Sequence, residues 1–348
     1  MLRAAPATVK CFLVVGVRRW PVLMRAPTYQ PSLTHKAGAG EWLLRSRAPS
    51  RGNAGLLWHH PAMEDAADPA RSQGDGRLRL EAGRAAVEIA PGVGGRIAAL
   101  EVDGWDLLRR HGWTDREWGA FVMAPWVGRL RLGRVEWAGR SWQMPPDEGP
   151  HALHGTVLDA PFSVMQTSPA SARLEAGLGP DWPFAGRVVQ TVELGARQLR
   201  LRLELHSDSE PMPGILGWHP WFLRRAARLD GPEQQAGEIV IAIHPAYRVE
   251  LDAHGLPTGA LGAPPEVPLD DVLLDLAGPP VVRWPGGPTV SLHAPEAQAW
   301  IVYTAHPDGV CVEPVTGLPD GLNGGLLGEP PVARPGKPLT ATFEIAWG

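Results

Sequence analysis

The stretch "VVQTVELGARQLRLRLELHSDS" (Val188–Ser209) decides the fold class of this 348-residue chain. Apolar and polar residues alternate along it with a period of two, which is typical of a β-strand with one buried face. In its second half one face is made of leucines, namely Leu199, Leu201, Leu203 and Leu205. The stretch therefore predicts a long β-hairpin.

The same alternation continues on both sides of this hairpin, interrupted by turns rich in glycine and proline. It predicts strands in "RLRLEAG" (Arg77–Gly83), "AAVEIAPG" (Ala85–Gly92), "RIAALEVDGWDLL" (Arg96–Leu108), "VEWAGRSWQM" (Val135–Met144), "GEIVIAIHP" (Gly237–Pro245), "PTVSLHAP" (Pro288–Pro295), "AWIVYTA" (Ala299–Ala305), "GVCVEP" (Gly309–Pro314) and "LTATFEIAW" (Leu339–Trp347). We find no convincing amphipathic helix longer than two turns. Many short strands over about 270 residues predict an all-β fold, one large antiparallel β-sandwich rather than two domains.

A cluster of glycines in "PGVGGRIAAL" (Pro91–Leu100) superficially resembles a dinucleotide-binding loop. Such a loop needs a helix directly after the glycines, whereas the residues that follow here alternate like a strand. The cluster therefore predicts a glycine-rich turn between two strands.

Charge is distributed unevenly along the chain. Residues 1–62 contain nine Lys or Arg and one acid, so the net charge of −4 divides into +8 for this segment and −12 for the rest. A body that acidic is unsuited to binding nucleic acid or an anionic membrane surface, but it is compatible with a neutral small-molecule partner.

Residues 1–62 show no sustained period of either kind. We interpret them as a disordered extension, or as translation from an upstream start with Met63 as the true beginning, and residues 63–348 as a single domain. The apolar run Cys11–Val17 is too short to span a membrane, and the arginines after it do not suit a secretory signal. Two cysteines are too few for a disulfide framework, so we expect a cytoplasmic protein.

Two histidines stand three residues apart in "PHALHG" (Pro150–Gly155). A zinc site would need further ligands at close spacing, and in an extended segment the two rings point to opposite sides. We therefore predict no metal site here. At most one of the two histidines faces any given pocket.

Two other fragments carry candidate chemistry. In "GWHPWF" (Gly217–Phe222), His219 lies between Trp218 and Trp221, whose flat rings suit the apolar faces of a sugar, although both could equally be core residues. In "VCVEPVTGLPDGLN" (Val310–Asn323), Glu313 ends a strand beside a glycine- and proline-rich loop. A partly buried glutamate there would have its pKa raised towards neutrality, where it can accept and return a proton.

Taken together, these fragments resemble the aldose 1-epimerases, also called galactose mutarotases. The resemblance runs from about Leu78 to Trp347. It rests on the order and spacing of "GGRIAALEVDGWDLL", "APWVGRLRLGRVEWAGRSWQMPPDEGPHALHG", "GWHPWF", "YRVELDAHGLPTG", "LDDVL" and "VYTAHPDGVCVEPVTGLPDGLN". It implies a large antiparallel β-sandwich, a small-molecule sugar substrate, and no metal or organic cofactor. We expect a monomer or a weak homodimer.

The resemblance also implies roles for individual residues. Glu313 matches the family's base at the C1 hydroxyl, and His219 matches the acid that protonates the ring oxygen. His154 matches a histidine that binds near the ring and C1 oxygens, which leaves His151 a structural part on the opposite side. For substrate binding, the matching residues are Arg129 and Asp270, with Asp271 as the register alternative to Asp270, and we add Trp221 and Trp218 as aromatic contacts.

Two departures from the family's pattern put galactose specificity in doubt. Gly128 stands where the family often has asparagine, and Leu223 stands where a sugar-binding asparagine is frequent. A hexose 6-phosphate 1-epimerase is an alternative, with a phosphate pocket drawn from Arg129, Arg131, Arg134, Arg224 and Arg225. A non-catalytic sugar-binding module on the same sandwich is a third possibility, disfavoured because a binder does not need an acid–base pair.

Overall fold

The computed structural model describes residues 76–231 and 234–348. The predictions made for residues 1–62, for Cys11 and for Met63 lie outside the described residues. The described strands, in chain order, are β1 (Leu78–Ala82), β2 (Ala85–Ala90), β3 (Arg96–Val102), β4 (Trp105–Leu108), β5 (Ala120–Met123), β6 (Arg129–Leu130), β7 (Arg134–Trp137), β8 (Arg140–Gln143), β9 (Ala152–Leu153), β10 (Ser163–Ser168), β11 (Ser171–Gly177), β12 (Gly186–Leu194), β13 (Gln198–Ser207), β14 (Met212–Pro213), β15 (Gly217–Arg228), β16 (Val240–Ala242), β17 (Pro245–Leu251), β18 (Pro257–Gly262), β19 (Asp270–Leu276), β20 (Val281–Arg283), β21 (Thr289–His293), β22 (Ala299–Tyr303), β23 (Gly309–Val315), β24 (Val332–Ala333) and β25 (Leu339–Trp347).

Two large sheets dominate the described residues, and the strand pairs in both are antiparallel. The first has 11 strands in the order β1-β2-β3-β4-β15-β23-β22-β19-β17-β18, with β5 paired to β15 and β3. The second has eight strands in the order β10-β11-β12-β13-β25-β21-β20-β16. The described residues include two short 3-10 helices, Arg131–Gly133 and Gly321–Asn323, and no α-helix. None of their helices is long and apolar enough to cross a membrane.

The leucine-rich stretch forms the centre of the eight-stranded sheet. Strand β12 pairs with β13, and β13 pairs with β25 on its other side. All four leucines of the alternating face are fully buried, at Leu199, Leu201, Leu203 and Leu205. The predicted hairpin is therefore confirmed, as is the predicted all-β fold class.

One apolar core fills the space between the two sheets. Phe343 on β25 packs against Trp218 on β15 and Trp300 on β22, with ring centres 5.8 and 6.4 Å apart. A buried hydrogen-bond chain also crosses the core: Trp218 Nε1 donates to Gln190 Oε1 at 3.1 Å, and Gln190 Nε2 donates to the Gly95 carbonyl at 2.6 Å. Packing of this kind holds the two sheets face to face as a sandwich.

Because the Trp218 side chain points into the core, it shows which residues of β15 lie on the outward face of the sheet. Because neighbouring residues of a strand point to opposite faces, His219 and Trp221 lie on the outward face of the 11-stranded sheet. The glycine cluster before β3 forms a turn, in which Gly94 and Gly95 have positive φ angles, and not a dinucleotide loop leading into a helix.

Replacing Phe343 with alanine should lower the free energy of unfolding by about 3–5 kcal/mol, because the ring is fully buried against aromatic side chains of the opposite sheet. Urea denaturation measures this change. Met165→Ala on the edge strand β10, where the side chain is 57% exposed, is the control and should change stability by no more than about 0.5 kcal/mol. Equal losses in the two variants would contradict a core between the sheets.

Candidate functional site

Polar side chains gather on the outward face of the 11-stranded sheet, where β5, β15, β23, β22 and β19 lie side by side. His219 is opposite Phe121 in the β15–β5 ladder. Two residues further along β15, on the same face, the cross-strand register places four side chains in a row: Trp221 is opposite Cys311, Cys311 is opposite Tyr303, and Tyr303 is opposite Asp270. The sheet therefore brings together residues that are up to about 190 positions apart in sequence.

His219 and Glu313 form the centre of this set. His219 Nε2 lies 3.2 Å from Glu313 Oε1, and the two residues are only 8% and 2% exposed. Burial raises the pKa of Glu313 well above its usual value and lowers the pKa of His219 to about 3. Both directions favour the uncharged form of each group.

Aromatic rings on both sides fix the orientation of the His219 ring. Phe121 stacks on one face with ring centres 4.5 Å apart, and Trp221 stacks on the other at 5.5 Å, both at 23°. The guanidinium of Arg96 lies 5.5 Å from the Phe121 centre, and that of Arg109 lies 5.4 Å from the Trp221 centre. Besides burial, the positive charge of Arg96 disfavours a positive charge on His219.

His154 lies beside the pair directly after strand β9, which is joined to β6 by two register pairs. Its ring centre lies 5.1 Å from that of His219 at 89°, and the residue is partly exposed. The backbone N–H of Gly128 donates to His154 Nδ1 at 3.2 Å. Burial lowers the His154 pKa, so the ring is neutral with its proton on Nε2, which makes Nε2 a hydrogen-bond donor.

Glycine is required on both sides of this arrangement. A Cβ on Gly155 would lie 1.9 Å from the Ala124 carbonyl oxygen, and a Cβ on Gly128 would lie 2.7 Å from Pro319 Cγ. Both glycines also have positive φ angles. The final glycine of "PHALHG" and the glycine that replaces the family's asparagine are thus local steric requirements for placing His154.

His151 turns away from the pair, as predicted for the first histidine of "PHALHG". Its Nδ1 accepts a hydrogen bond from the Leu132 backbone N–H at 3.1 Å, and its ring lies 5.5 Å from that of His254. Leu132 has a φ of 52°, an uncommon conformation for a bulky side chain. His151 therefore stabilises the turn after β6.

The candidate substrate-binding residues lie around this centre. Asp270 is exposed at the start of β19, on the same face as Tyr303, so a ligand can approach from that side. Asp271 is on the other face, where its Oδ2 accepts a hydrogen bond from the Leu269 N–H. Of the two register alternatives, Asp270 is the one that faces the site. Arg129, at the start of β6, contacts Glu148 at 3.5 Å.

The two tryptophans of "GWHPWF" have different positions. Trp221 lines the site beside His219, and its Nε1 donates to the Arg116 carbonyl at 2.7 Å. Trp218 is 1% exposed and lies between the sheets, where it donates to Gln190. Trp218 is therefore a core residue rather than a sugar contact, which corrects the sequence prediction.

The arginines proposed as a phosphate pocket are paired with acids. Their ion pairs join Arg129 to Glu148, Arg131 to Asp252 and Asp320, Arg134 to Glu136, and Arg224 and Arg225 to Glu238. Carboxylates next to these cations reduce their attraction for a phosphate. These ion pairs therefore give no support to a phosphate pocket built from these five arginines.

The sequence prediction missed several residues of the site. Phe121 and Arg109 stand in segments without any motif, and only the folded register places them beside the "GWHPWF" residues. His306, in the quoted fragment "VYTAHPDG", contacts Arg109 and lies edge-on to Trp221, with ring centres 5.3 Å apart. Cys311 could have been inferred, because it lies two residues before Glu313 on one strand and so shares its face.

Two cavities elsewhere in the described residues contain none of the residues predicted for catalysis or sugar binding, although Arg131 of the predicted phosphate pocket lines the first. One of about 300 Å³ lies between Arg131, Thr258 and the Gly317–Pro331 segment, and one of about 610 Å³ lies beside Leu273, His293 and Trp300.

Alanine at Gly128 should destabilise the protein more than alanine at Gly139. Both glycines have positive φ, of 58° and 74°, so each substitution costs roughly 1–2 kcal/mol of backbone strain. Only Gly128 also has Pro319 in the path of a Cβ, which adds roughly 1–3 kcal/mol, whereas no atom lies within 4 Å at Gly139. Thermal or urea unfolding of both variants measures the difference, and equal losses would exclude a steric role for Pro319.

Replacing His219 with asparagine should change how stability depends on pH. Because the pKa of His219 is lowered on folding, the unfolded state alone takes up this proton below pH 6.5, and the wild type is penalised as pH falls. The asparagine variant lacks this penalty. Its free energy of unfolding relative to wild type should therefore rise by about 1.4 kcal/mol between pH 8 and pH 5.5. Urea titrations at both pH values test this. A relative stability that is constant or falls would mean that His219 is charged in the folded protein.

Comparison with known proteins bears on the family and the fold of the chain. A protein-family model described as aldose 1-epimerase matches residues 76–276. A comparison with curated protein sequences gives no significant match.

Solved structures of similar fold come from distant organisms. The aldose epimerase homologue of C. elegans is 16% identical with a TM-score of 0.66, covering 79% of this chain and 99% of that one. A galactose mutarotase-like protein of Clostridium acetobutylicum is 17% identical with a TM-score of 0.65, covering 78% and 95%. The galactose 1-epimerase of Lactobacillus acidophilus NCFM is 16% identical with a TM-score of 0.61, covering 78% and 94%. At these identities the likeness establishes the fold. The family match extends over more than half of the sequence, and the chain therefore belongs to the aldose 1-epimerase family.

Proposed function

We propose that this protein interconverts the α and β anomers of a hexose by acid–base-catalysed opening and reclosure of the sugar ring. The observation that carries the proposal is the 3.2 Å contact between His219 Nε2 and Glu313 Oε1 on the outward face of the sheet. Anomer exchange needs one group that removes the C1 hydroxyl proton and one that protonates the ring oxygen. A carboxylate and an imidazolium at this distance are suited to both tasks.

The proton movements balance within the pair. In the reactive state Glu313 is a carboxylate and His219 carries a proton on Nε2. Glu313 takes the C1 hydroxyl proton while His219 donates its proton to the ring oxygen, the C1–O5 bond breaks, and the open-chain aldehyde forms. Rotation about C1–C2 followed by the reverse transfers closes the ring as the other anomer. Neither transfer changes the total number of protons, so no exchange with solvent is needed.

The buried pair reaches the reactive state when its single shared proton moves from Glu313 to His219. Glu313 Oε2 and His219 Nδ1 are buried and have no hydrogen-bond partner among the described residues. A sugar hydroxyl at C1 can donate to Glu313 Oε2 and stabilise the carboxylate, since a hydrogen bond to the charged form favours that form. We propose that substrate binding itself thereby activates the base.

The surrounding residues can bind the rest of the ring. His154 would donate its Nε2–H to the ring oxygen or the C1 oxygen, while Asp270 and Arg129 would bind ring hydroxyls. Trp221 would form an apolar wall. These assignments follow the family resemblance. They are supported by the common face that Trp221 and Asp270 share with the pair and by the direction of His154.

The preferred sugar is left open by the two departures from the family's pattern. The Cβ position of Gly128 is occupied by Pro319, so an asparagine side chain does not fit there, and the backbone N–H orients His154 instead. Leu223 offers no hydrogen bond. Losing a partner for a buried hydroxyl costs about 1–3 kcal/mol, enough to reorder preferences among hexoses.

The two other functions from the sequence are less well supported. A phosphate-specific enzyme would need unpaired cations near the site, and the arginines proposed for that task are paired with acids. A purely sugar-binding module would gain nothing from burying His219 and Glu313 in contact. The cytoplasmic location and the monomeric or weakly dimeric state remain predictions.

Polarimetry of freshly dissolved α-D-glucose and α-D-galactose should show faster mutarotation with the wild type, and Glu313→Gln should lower the catalysed rate about 10²–10⁴-fold, because glutamine cannot accept the proton. Glu344→Gln, on β25 of the opposite sheet and paired with Arg200, is the control and should retain the wild-type rate. No acceleration by the wild type would support the binding module. A faster rate on glucose 6-phosphate than on glucose would support the phosphate alternative.

A further inference from the structure

Cys311 has no part in the proton transfers, yet it lies within reach of both groups that perform them. Donor atoms of His219, Cys311 and Glu313 all lie within 4.8 Å of one another, and all three residues are buried. Cys311 and Glu313 are two residues apart on β23 and therefore share its outward face, while His219 comes from the adjacent strand β15. Imidazole, thiolate and carboxylate are the three kinds of ligand that zinc binds in proteins.

We propose that His219, Cys311 and Glu313 form an inhibitory site for Zn²⁺, in which the ion occupies the catalytic pair and excludes the sugar. Binding of the ion is argued from the three donor atoms alone. Its inhibitory effect rests on the proposed epimerase function, because the ion would bind both the catalytic acid and the catalytic base.

Two of the three donors are already spaced as neighbouring ligands of a tetrahedral ion. With metal–ligand distances of about 2.0 Å to nitrogen and oxygen, two neighbouring ligands of a tetrahedral zinc are about 3.3 Å apart. His219 Nε2 and Glu313 Oε1 are 3.2 Å apart before any ion enters. Three protein ligands leave a fourth position of the ion open, which water could occupy.

The charge balance also suits a divalent ion. Bound as carboxylate and thiolate, Glu313 and Cys311 are two negative ligands against the two positive charges of the ion, and any proton they carry is released to solvent. The resulting complex carries no net charge, an advantage in a buried site.

The donor set selects among metals. Mg²⁺ and Ca²⁺ prefer oxygen ligands in larger number, and a site with one carboxylate, one imidazole and one thiolate does not suit them. Zn²⁺ suits it, and Co²⁺ can replace Zn²⁺ in such sites as a spectroscopic probe. The site should therefore distinguish Zn²⁺ from Mg²⁺ at equal concentration.

Two readouts test the site independently of each other. The first is titration of the full chain with Co²⁺, in which a thiolate-to-cobalt charge-transfer band in the near ultraviolet should appear, persist in Cys11→Ser and disappear in Cys311→Ser and Cys311→Ala. This readout needs no enzymatic activity. Absence of the band in the wild type, or its retention in both Cys311 variants, would overturn the metal site, whatever the outcome for the epimerase.

The second readout is inhibition of mutarotation by Zn²⁺, with Mg²⁺ as the control ion and each variant compared with its own metal-free rate. Zn²⁺ should inhibit the wild type in competition with sugar, and a chelator should restore the rate. Loss of the thiolate should weaken inhibition at least as much as loss of a group that only orients a ligand, roughly 10–100-fold, in Cys311→Ser but leave it unchanged in Cys11→Ser. Equal inhibition of the wild type and both Cys311 variants would overturn the inhibitory role, whereas failure of all proteins to catalyse mutarotation would count only against the proposed function.

Discussion

The contact between His219 and Glu313 imposes the strictest constraint on this structure, because it removes two ionisable groups from water without giving them other partners. An unpaired charge in such a position would cost several kcal/mol. Burial shifts the pKa of each group in the direction that favours its uncharged form, which lowers this cost. In that form the pair holds one proton that can move over 3.2 Å without a change in net charge.

The sandwich makes this constraint tolerable because it holds the pair rigidly. Neighbouring strands provide His219 and Glu313, and Phe121 and Trp221 clamp the imidazole from both faces. Beneath them, the Trp218–Gln190–Gly95 hydrogen bonds tie the same strand to the opposite sheet. A site on paired strands loses less orientation than a site on loops, so the large core stabilises the geometry of the pair as well as the fold.

Alternation of residues predicted much of this structure, and its limits explain the rest. The two-residue period predicts the strands and the leucine face, since burial of one face of a strand requires an apolar residue at every second position. It does not show which face of β15 enters the core. The sequence therefore predicts Trp218 as a sugar contact, whereas its neighbour His219 is the residue on the outward face. Asp270 and Asp271 pose the same problem, because alternation alone does not show which of two neighbouring side chains faces the site. Phe121 and Arg109 were missed because their proximity to His219 arises from pairing between distant strands, which a single sequence does not reveal.

The features that suit the pair for proton transfer also suit it for binding a metal ion. A neutral imidazole offers a lone pair to a metal ion. The Glu313 oxygen lies 3.2 Å from His219 Nε2, which is about the distance between two neighbouring ligands of a tetrahedral ion. The alternation that places Glu313 on the outward face of β23 also places Cys311 there. Replacing Cys311 with an apolar residue would keep the register, the stack on His219 and the proton pair while removing the third ligand. Metal binding therefore needs one residue, Cys311, that proton transfer does not use, and the two processes can be separated at that single position.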